Sequence, residues 1–195
     1  MNKLKLISPM PVSVNHYLAH RSFITYIKGK AVAQTTMYTT SEAKKYKKEF
    51  AEYLKQEIKN QGWDLVPNKT QHFYIDLTFY FPRIDMDCNN YLKLLLDAIT
   101  DTQSVWLDDN CTCERVNRIY YDSKNPRIEI DIYPVDYIGI FDNNTDLQTF
   151  EIQCHTCSRY KNNCSILNKC MEGRIIEEID IETKICSKYK QSKSK

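Results

Sequence analysis

Apolar and polar side chains alternate most clearly over residues 72–81. Phe73, Ile75, Leu77, Phe79 and Phe81 interleave with His72, Tyr74, Asp76, Thr78 and Tyr80. A period of two predicts a strand with one buried face, and Pro82 ends it. Residues 3–7 predict a shorter strand, stopped by Ser8-Pro9-Met10-Pro11. Residues 15–40 are polar and aromatic, with a hairpin expected around Ile27-Lys28-Gly29-Lys30. Ser41 is expected to cap a helix over residues 42–61, with Gly62 as its stop and Tyr46, Phe50, Tyr53, Leu54 and Ile58 as its apolar face. A second helix is expected over residues 90–100, where Leu92, Leu95, Leu96 and Ile99 fall at i, i+3, i+4 and i+7. Strands at 114–121 and 127–133, joined by the polar turn Asp122-Ser123-Lys124-Asn125-Pro126, predict a closing hairpin.

This order predicts an α/β (α+β) fold: a two-layer mixed sheet with two main helices, plus a small Cys-rich C-terminal extension. The expected boundaries are a folded domain over residues 1–134, a linker over 135–150 and a Cys-rich tail over 151–195 that frays from 190 onward.

Composition narrows the function classes. A chain of 195 residues can bury one good core and a small appendage. A net charge of +2 does not announce a nucleic-acid binder, so any basic surface must come from local clustering. Fourteen tyrosines and seven phenylalanines against four glycines argue for ordered structure. The first residues hold too short an apolar run for a secretory signal, and no stretch approaches the roughly 18 apolar residues of a membrane span. A cytoplasmic protein of a bacterial or phage-infected cell is expected, with no membrane partner and with its eight cysteines reduced or metal-bound.

Lysines 44, 45, 47, 48, 55 and 59 make the outer faces of the first helix basic. A solvated face explains them. So does a surface that meets phosphates.

The chemistry concentrates between residues 85 and 109. Asp85, Asp87 and Asn89 alternate, so an extended chain would turn them to one side. Asn90 suits a helix cap, Lys93 follows in the first turn, and Trp106-Leu107-Asp108-Asp109 can return to the same rim. Two or three carboxylates can hold Mg²⁺ with room left for water and phosphate, and a nearby lysine can offset developing charge. A capped helix beside a solvated acidic loop explains the same residues.

The ensemble resembles the RusA-type Holliday junction resolvases. Asp87-Cys88-Asn89-Asn90, Lys93, Asp97-Ala98-Ile99 and Trp106-Leu107-Asp108-Asp109 are similar to that family's Asp-x-Asp-Asn, following lysine, helix ending in Asp-Ala-Leu and closing Asp-Asp. Pro9-Met10-Pro11-Val12-Ser13-Val14-Asn15 resembles its Pro-Pro-Ser-x-Asn opening. The resemblance covers residues 1–134. It implies a homodimeric, Mg²⁺-dependent endonuclease that resolves four-way DNA junctions in recombination and repair. By position, Asp87 and Asp109 match metal-binding catalytic aspartates and Lys93 the catalytic lysine. Asn89 stands where a second catalytic aspartate is expected. Asp85 could supply the missing charge; the protein could be a weakened or inactive junction binder; or the amide could be an engineered replacement. Lys44, Lys47, Lys48, Arg83, Arg115 and Arg118 are candidate contacts to the DNA backbone.

The tail carries Cys154-x-x-Cys157, then Cys164, Cys170 and Cys186. Five thiols in a short, core-poor segment suggest a metal site using four of them: zinc, or an iron–sulfur cluster, with free or paired thiols as the other reading. Cys88, Cys111 and Cys113 are read as ordinary packing and strand residues.

Overall fold

A computed structural model describes residues 3–68, 71–160 and 163–192. It divides into two compact units, Met1–Val135 and Asp136–Lys195.

The first unit is a mixed four-stranded sheet covered on one face by helices. Its elements are β1 (Leu4–Pro9), a helical turn α1 (Val14–Tyr17), β2 (Leu18–Ile27), β3 (Lys30–Thr39), α2 (Ser41–Asn60), β4 (His72–Phe81), α3 (Asn89–Thr100), β5 (Thr112–Tyr121) and β6 (Arg127–Val135). The sheet order is β1-β6-β4-β5. β4 buries Phe73, Ile75, Leu77, Phe79 and Phe81 completely or nearly so, as its alternation requires. Leu4 and Leu6 of β1 and Ile128, Ile130 and Ile132 of β6 join the same face. α2 adds Ala43, Tyr46, Phe50 and Leu54. α3 buries Leu94 and Ala98 beside Leu95, Leu96 and Ile99, a wider apolar face than the i, i+3, i+4, i+7 reading gave.

The last two strands do not form the expected hairpin. β5 pairs parallel with β4, while β6 pairs antiparallel with β4 on its other side. The turn after β5 therefore carries the chain across the end of β4, where the Asp122 N–H donates to the Phe81 carbonyl at 2.7 Å. A five-residue polar turn is locally compatible with a hairpin, and only the long-range pairing with β4 decides against one. The parallel β4–β5 pair needs a crossover, and α3 supplies it. That crossover sets α3 between the two ends of the acidic stretch.

β2 and β3 form a separate antiparallel ribbon, joined where Lys28 and Gly29 both take positive φ, at 49° and 77°. Two left-handed residues make the turn that matches strand twist, and glycine accepts this without a Cβ clash. Two caps differ from expectation. Thr40, not Ser41, caps α2, its Oγ1 accepting from the Ala43 N–H. Asp87, not Asn90, serves α3, as described below.

The second unit contains α4 (Asn144–His155) and α5 (Ser165–Met171) around Ile140, Phe141, Phe150, Ile166, Cys170 and Ile179. The expected linker is thus partly structural. Ile140 and Phe141 are buried in this core, and α4 begins at Asn144, whose preceding Asn143 caps it by accepting from the Asp146 N–H. The expected fraying does not begin at 190 either: the Ser158 N–H donates to the Lys190 carbonyl at 2.7 Å, and Gln191 bridges to Cys157. Residues 193–195 lie outside the described residues.

Candidate active site

Asp87 begins the site by ending a turn. Residues 82–85 bend and turn and Asn89 already lies in α3, so no extended strand carries Asp85, Asp87 and Asn89 on one side. Asp87 Oδ1 accepts from the Asn89 N–H at 3.0 Å, and its carbonyl accepts from the Asn90 N–H at 3.2 Å. Cys88 already has helical angles, φ −55° and ψ −41°, which makes Asp87 the capping residue in conformational terms. A carboxylate there also meets the positive end of the helix. One of its oxygens is engaged; the side chain remains exposed. Asp85 pairs with Arg83 at 3.1 Å, and both lie close enough to Tyr91 to act on its hydroxyl, as Asp87 does.

Lys93 lies one turn beyond Asn89, roughly 6 Å further along the axis at 1.5 Å per residue. Its Nζ sits 3.5 Å from Asp97 Oδ2. Asp97 is mostly buried, at 19% side-chain exposure, and its Oδ2 also accepts from the Tyr17 hydroxyl at 2.7 Å. Burial, and after it Asp97, push the Tyr17 hydroxyl above its ordinary value. Lys47 lies over the Tyr17 ring at 5.5 Å and pairs with Asp101 at 2.9 Å.

The closing segment of the site is held by Trp106. The indole is fully buried, packs 5.7 Å from the Phe73 ring, and donates Nε1–H to Thr100 Oγ1 at 2.8 Å. Gln103 Nε2 donates to the Leu107 carbonyl at 2.8 Å. These ties return Asp108 and Asp109 to α3. Asp108 caps a short 3-10 turn, Asp109–Cys111, by accepting from the Asn110 N–H at 3.0 Å. Burial first, then the Asp108 and Asp97 charges, push the Asp109 carboxyl above the usual carboxylate range, while Lys93 opposes them.

The structure thus gathers Lys93, Asp97, Asp108 and Asp109 into one electrostatic group. Asp87 and Asn89 stand at the start of the helix that carries two of its members. Asp97 and Tyr17 are the residues that site reading from sequence did not assign. Asp97 has a signal: a single acid in the apolar run Leu94-Leu95-Leu96-Asp97-Ala98-Ile99, four residues after a lysine. Tyr17 has none, because its link to Asp97 spans 80 positions.

The proposed DNA-facing cations divide. Lys44 and Lys48 are exposed on α2, and Arg83 is 71% exposed beside Asp85. Arg118 is exposed near the Tyr120 ring. Lys47 is only 20% exposed and already paired. Arg115 donates Nε–H to Asp76 at 2.7 Å, bonds the Tyr133 hydroxyl and lies 4.1 Å from the Tyr74 ring centre, so it braces the sheet. Neither Lys47 nor Arg115 is an uncommitted cation.

Among the described residues, no three or more His, Cys, Asp or Glu side chains are gathered as a metal-ligand group. Two carboxylates and an amide would not make such a group. In the second unit, Cys154, Cys157, Cys164 and Cys186 line one small cavity. Burial, then the neighbouring thiols, push Cys154 up to about 12.

The opening motif, the helix-borne Lys93 and Asp97 and the returning Asp-Asp all fall within residues 9–133, which match the family model for endodeoxyribonuclease RusA. The chain belongs to the RusA endodeoxyribonuclease family. RusA enzymes are Holliday junction-resolving endonucleases and are generally divalent-metal dependent. The match covers most of the first unit and leaves the second outside it. No curated protein gave a significant match to the chain. No helix among the described residues is long and apolar enough to cross a membrane.

Proposed function

We propose that this RusA-family chain resolves four-way DNA junctions with Mg²⁺ held at Asp87 and Asp109. The observation that carries this reading is that Asp109 returns within electrostatic reach of the Lys93–Asp97 pair on α3, the helix whose start Asp87 caps. A helix cap alone gives no reason for that return. The donors fit a hard cation: oxygen ligands only, with one Asp87 oxygen left over from capping. Bound there, Mg²⁺ would supply positive charge to polarise a phosphate and lower the pKa of a water.

The chain's own residues supply the rest. Lys93 is 57% exposed, so its ammonium can reach a phosphate while Asp97 restrains its position. Asp97 is itself fixed by Tyr17, which makes it a positioning residue. Asn89 can offer an amide oxygen, but it brings no charge and cannot accept a proton as a base. Asp85 acts on Tyr91 together with Asp87, and is the candidate to restore the missing charge. Lys44, Lys48, Arg83 and Arg118 would meet the DNA backbone. Symmetric cutting needs two sites, so the active form is a homodimer working in the cytoplasm, where the DNA lies.

Asn89 favours a second reading: a junction-binding protein whose cutting is weak or lost. Incubating the protein and an Asn89→Asp variant with a synthetic four-way junction and Mg²⁺ separates the two. Symmetric nicks by the protein itself support the nuclease. Binding with nicks only from the variant supports the weakened protein. Failure of both to bind junction DNA would refute the junction-directed function.

A further inference from the structure

Residues 1–41 contain no Asp or Glu. Within that acid-free segment the β2–β3 ribbon carries Arg21, Lys28 and Lys30. The ribbon is a two-stranded sheet of its own, and from residue 20 to residue 38 every residue except Thr25 is exposed. Its base is tied to the candidate site. The Thr40 N–H donates to the Tyr17 carbonyl at 3.0 Å, and the Tyr17 hydroxyl donates to Asp97. Each strand has ten residues, so the ribbon reaches about 33 Å from that base.

The pairing register sorts the side chains into two faces. Arg21 stands opposite Thr36, Phe23 opposite Gln34 and Ile27 opposite Lys30. Arg21, Thr25, Lys30, Gln34 and Thr36 therefore share one face. The other face has no Lys, Arg or Gln, and its Ser22 and Thr35 hydroxyls bond each other at 3.0 Å. Cations and free hydrogen-bonding groups are thus concentrated on one side.

We propose that the β2–β3 ribbon is a DNA-binding arm that lies, polar face inward, in the major groove of the duplex leading into the site. Arg21, Lys28 and Lys30 meet the flanking phosphates, while Thr25, Gln34 and Thr36 face the base edges. This arm presupposes the DNA-directed function proposed above and adds a contact surface that the site residues do not supply. Two strands about 4.8 Å apart fit a groove about 12 Å wide, and the major groove admits such a ribbon. A reach of about 33 Å matches one helical turn of DNA, about 34 Å. Charge selects the occupant. A second copy's ribbon would bring the same three cations and no acid, whereas DNA brings a row of phosphates.

The test uses the full chain without divalent ions, so that binding is read without cutting. The unaltered protein should bind a plain duplex several turns long as well as a four-way junction. Hydroxyl-radical footprinting should show protection along about one helical turn of an arm. Changing Arg21, Lys28 and Lys30 together to Gln should lower the salt slope of duplex binding by about three units, one per cation, and erase that protection. Lys30→Gln alone, beside the exposed turn, should lower the slope by about one unit and keeps the test open if the triple variant fails to fold. Ile24→Ser, on the opposite face, should bind like the unaltered protein. Circular dichroism reads the fold of each variant, and sedimentation reads its oligomeric state. An unchanged slope and footprint in the folded variants would overturn the arm. So would absence of duplex binding by the unaltered protein, or a loss of binding that tracks loss of a dimer, which would give the ribbon to a second copy. A protein that binds duplex through the ribbon yet never nicks a junction would keep the arm and refute the resolving function.

Discussion

Replacing Asp97 by Asn tests whether the acidic group near Asp109 is coupled through α3. The amide keeps a similar shape and an oxygen for the Tyr17 hydroxyl, now 2.7 Å from Asp97 Oδ2. It loses the charge. A hydrogen bond to a charged partner contributes about 1.5–3 kcal/mol and a neutral one about 0.5–1.5, so this bond should weaken by roughly 1 kcal/mol. The pair with Lys93 is 3.5 Å long, but the lysine is more than half exposed. Solvent screening limits that pair to about 0.2–1 kcal/mol. Relief of repulsion on Asp109 offsets part of the loss, leaving a net destabilisation of about 1–2 kcal/mol. That is a fall in melting temperature of a few degrees. Urea unfolding at neutral pH reads the stability. Carboxyl-carbon NMR across a pH titration reads Asp109, which should move down towards the usual carboxylate range. Unchanged stability together with an unmoved Asp109 would refute the coupling, whether or not the protein cuts DNA.

Asp109→Asn should stabilise the metal-free protein at neutral pH. A carboxyl raised on folding costs nothing when protonated in both states, and costs stability progressively as pH rises from its unfolded value through its folded one. The gain should therefore vanish in acid, as thermal melts across pH would show; a gain that persists there contradicts the assignment. Added Mg²⁺ should raise the melting temperature of the unaltered protein and have a smaller effect on Asp109→Asn. Trp106→Phe, which deletes the Nε1–Thr100 bond and part of a fully buried ring, should cost about 1–3 kcal/mol in urea unfolding. If Lys44 and Lys48 contact phosphates, changing each to Gln should reduce the salt dependence of DNA binding by about one unit of slope, whereas Arg115→Gln should mainly lower stability. Gly139→Ala should destabilise the second unit, because φ is +68° and a Cβ would lie 2.1 Å from the Cys170 carbonyl oxygen; circular dichroism melting would read it.

The sequence is legible where the physics is local. β4 follows from strict alternation, and the β2–β3 turn from Lys28-Gly29 between two strand-like runs. The partner of each strand is less legible. Nothing within residues 112–135 says that β4 lies between β5 and β6, because that choice depends on matching buried faces across the whole unit. The same limit applies to the site. Asp87, Lys93 and Asp109 stand out as residue types at suggestive spacing, but Asp97 acquires its meaning only through Tyr17 and the burial of α3. Residues 135–150 read as a linker, although Ile140 and Phe141 anchor a core.

The sheet order β1-β6-β4-β5 has a consequence for the chain during synthesis. β1 and β4 are made early, yet they do not pair with each other, and β6 is the keystone that joins them. Until residue 127 and those after it emerge from the ribosome, β1 has no strand partner and β4 can pair on one side only. A nascent chain halted before β6 thus exposes two apolar strand edges, and is expected to be a target for chaperones and proteases. The second unit follows β6 in the chain, so the first can close while the tail is still being made.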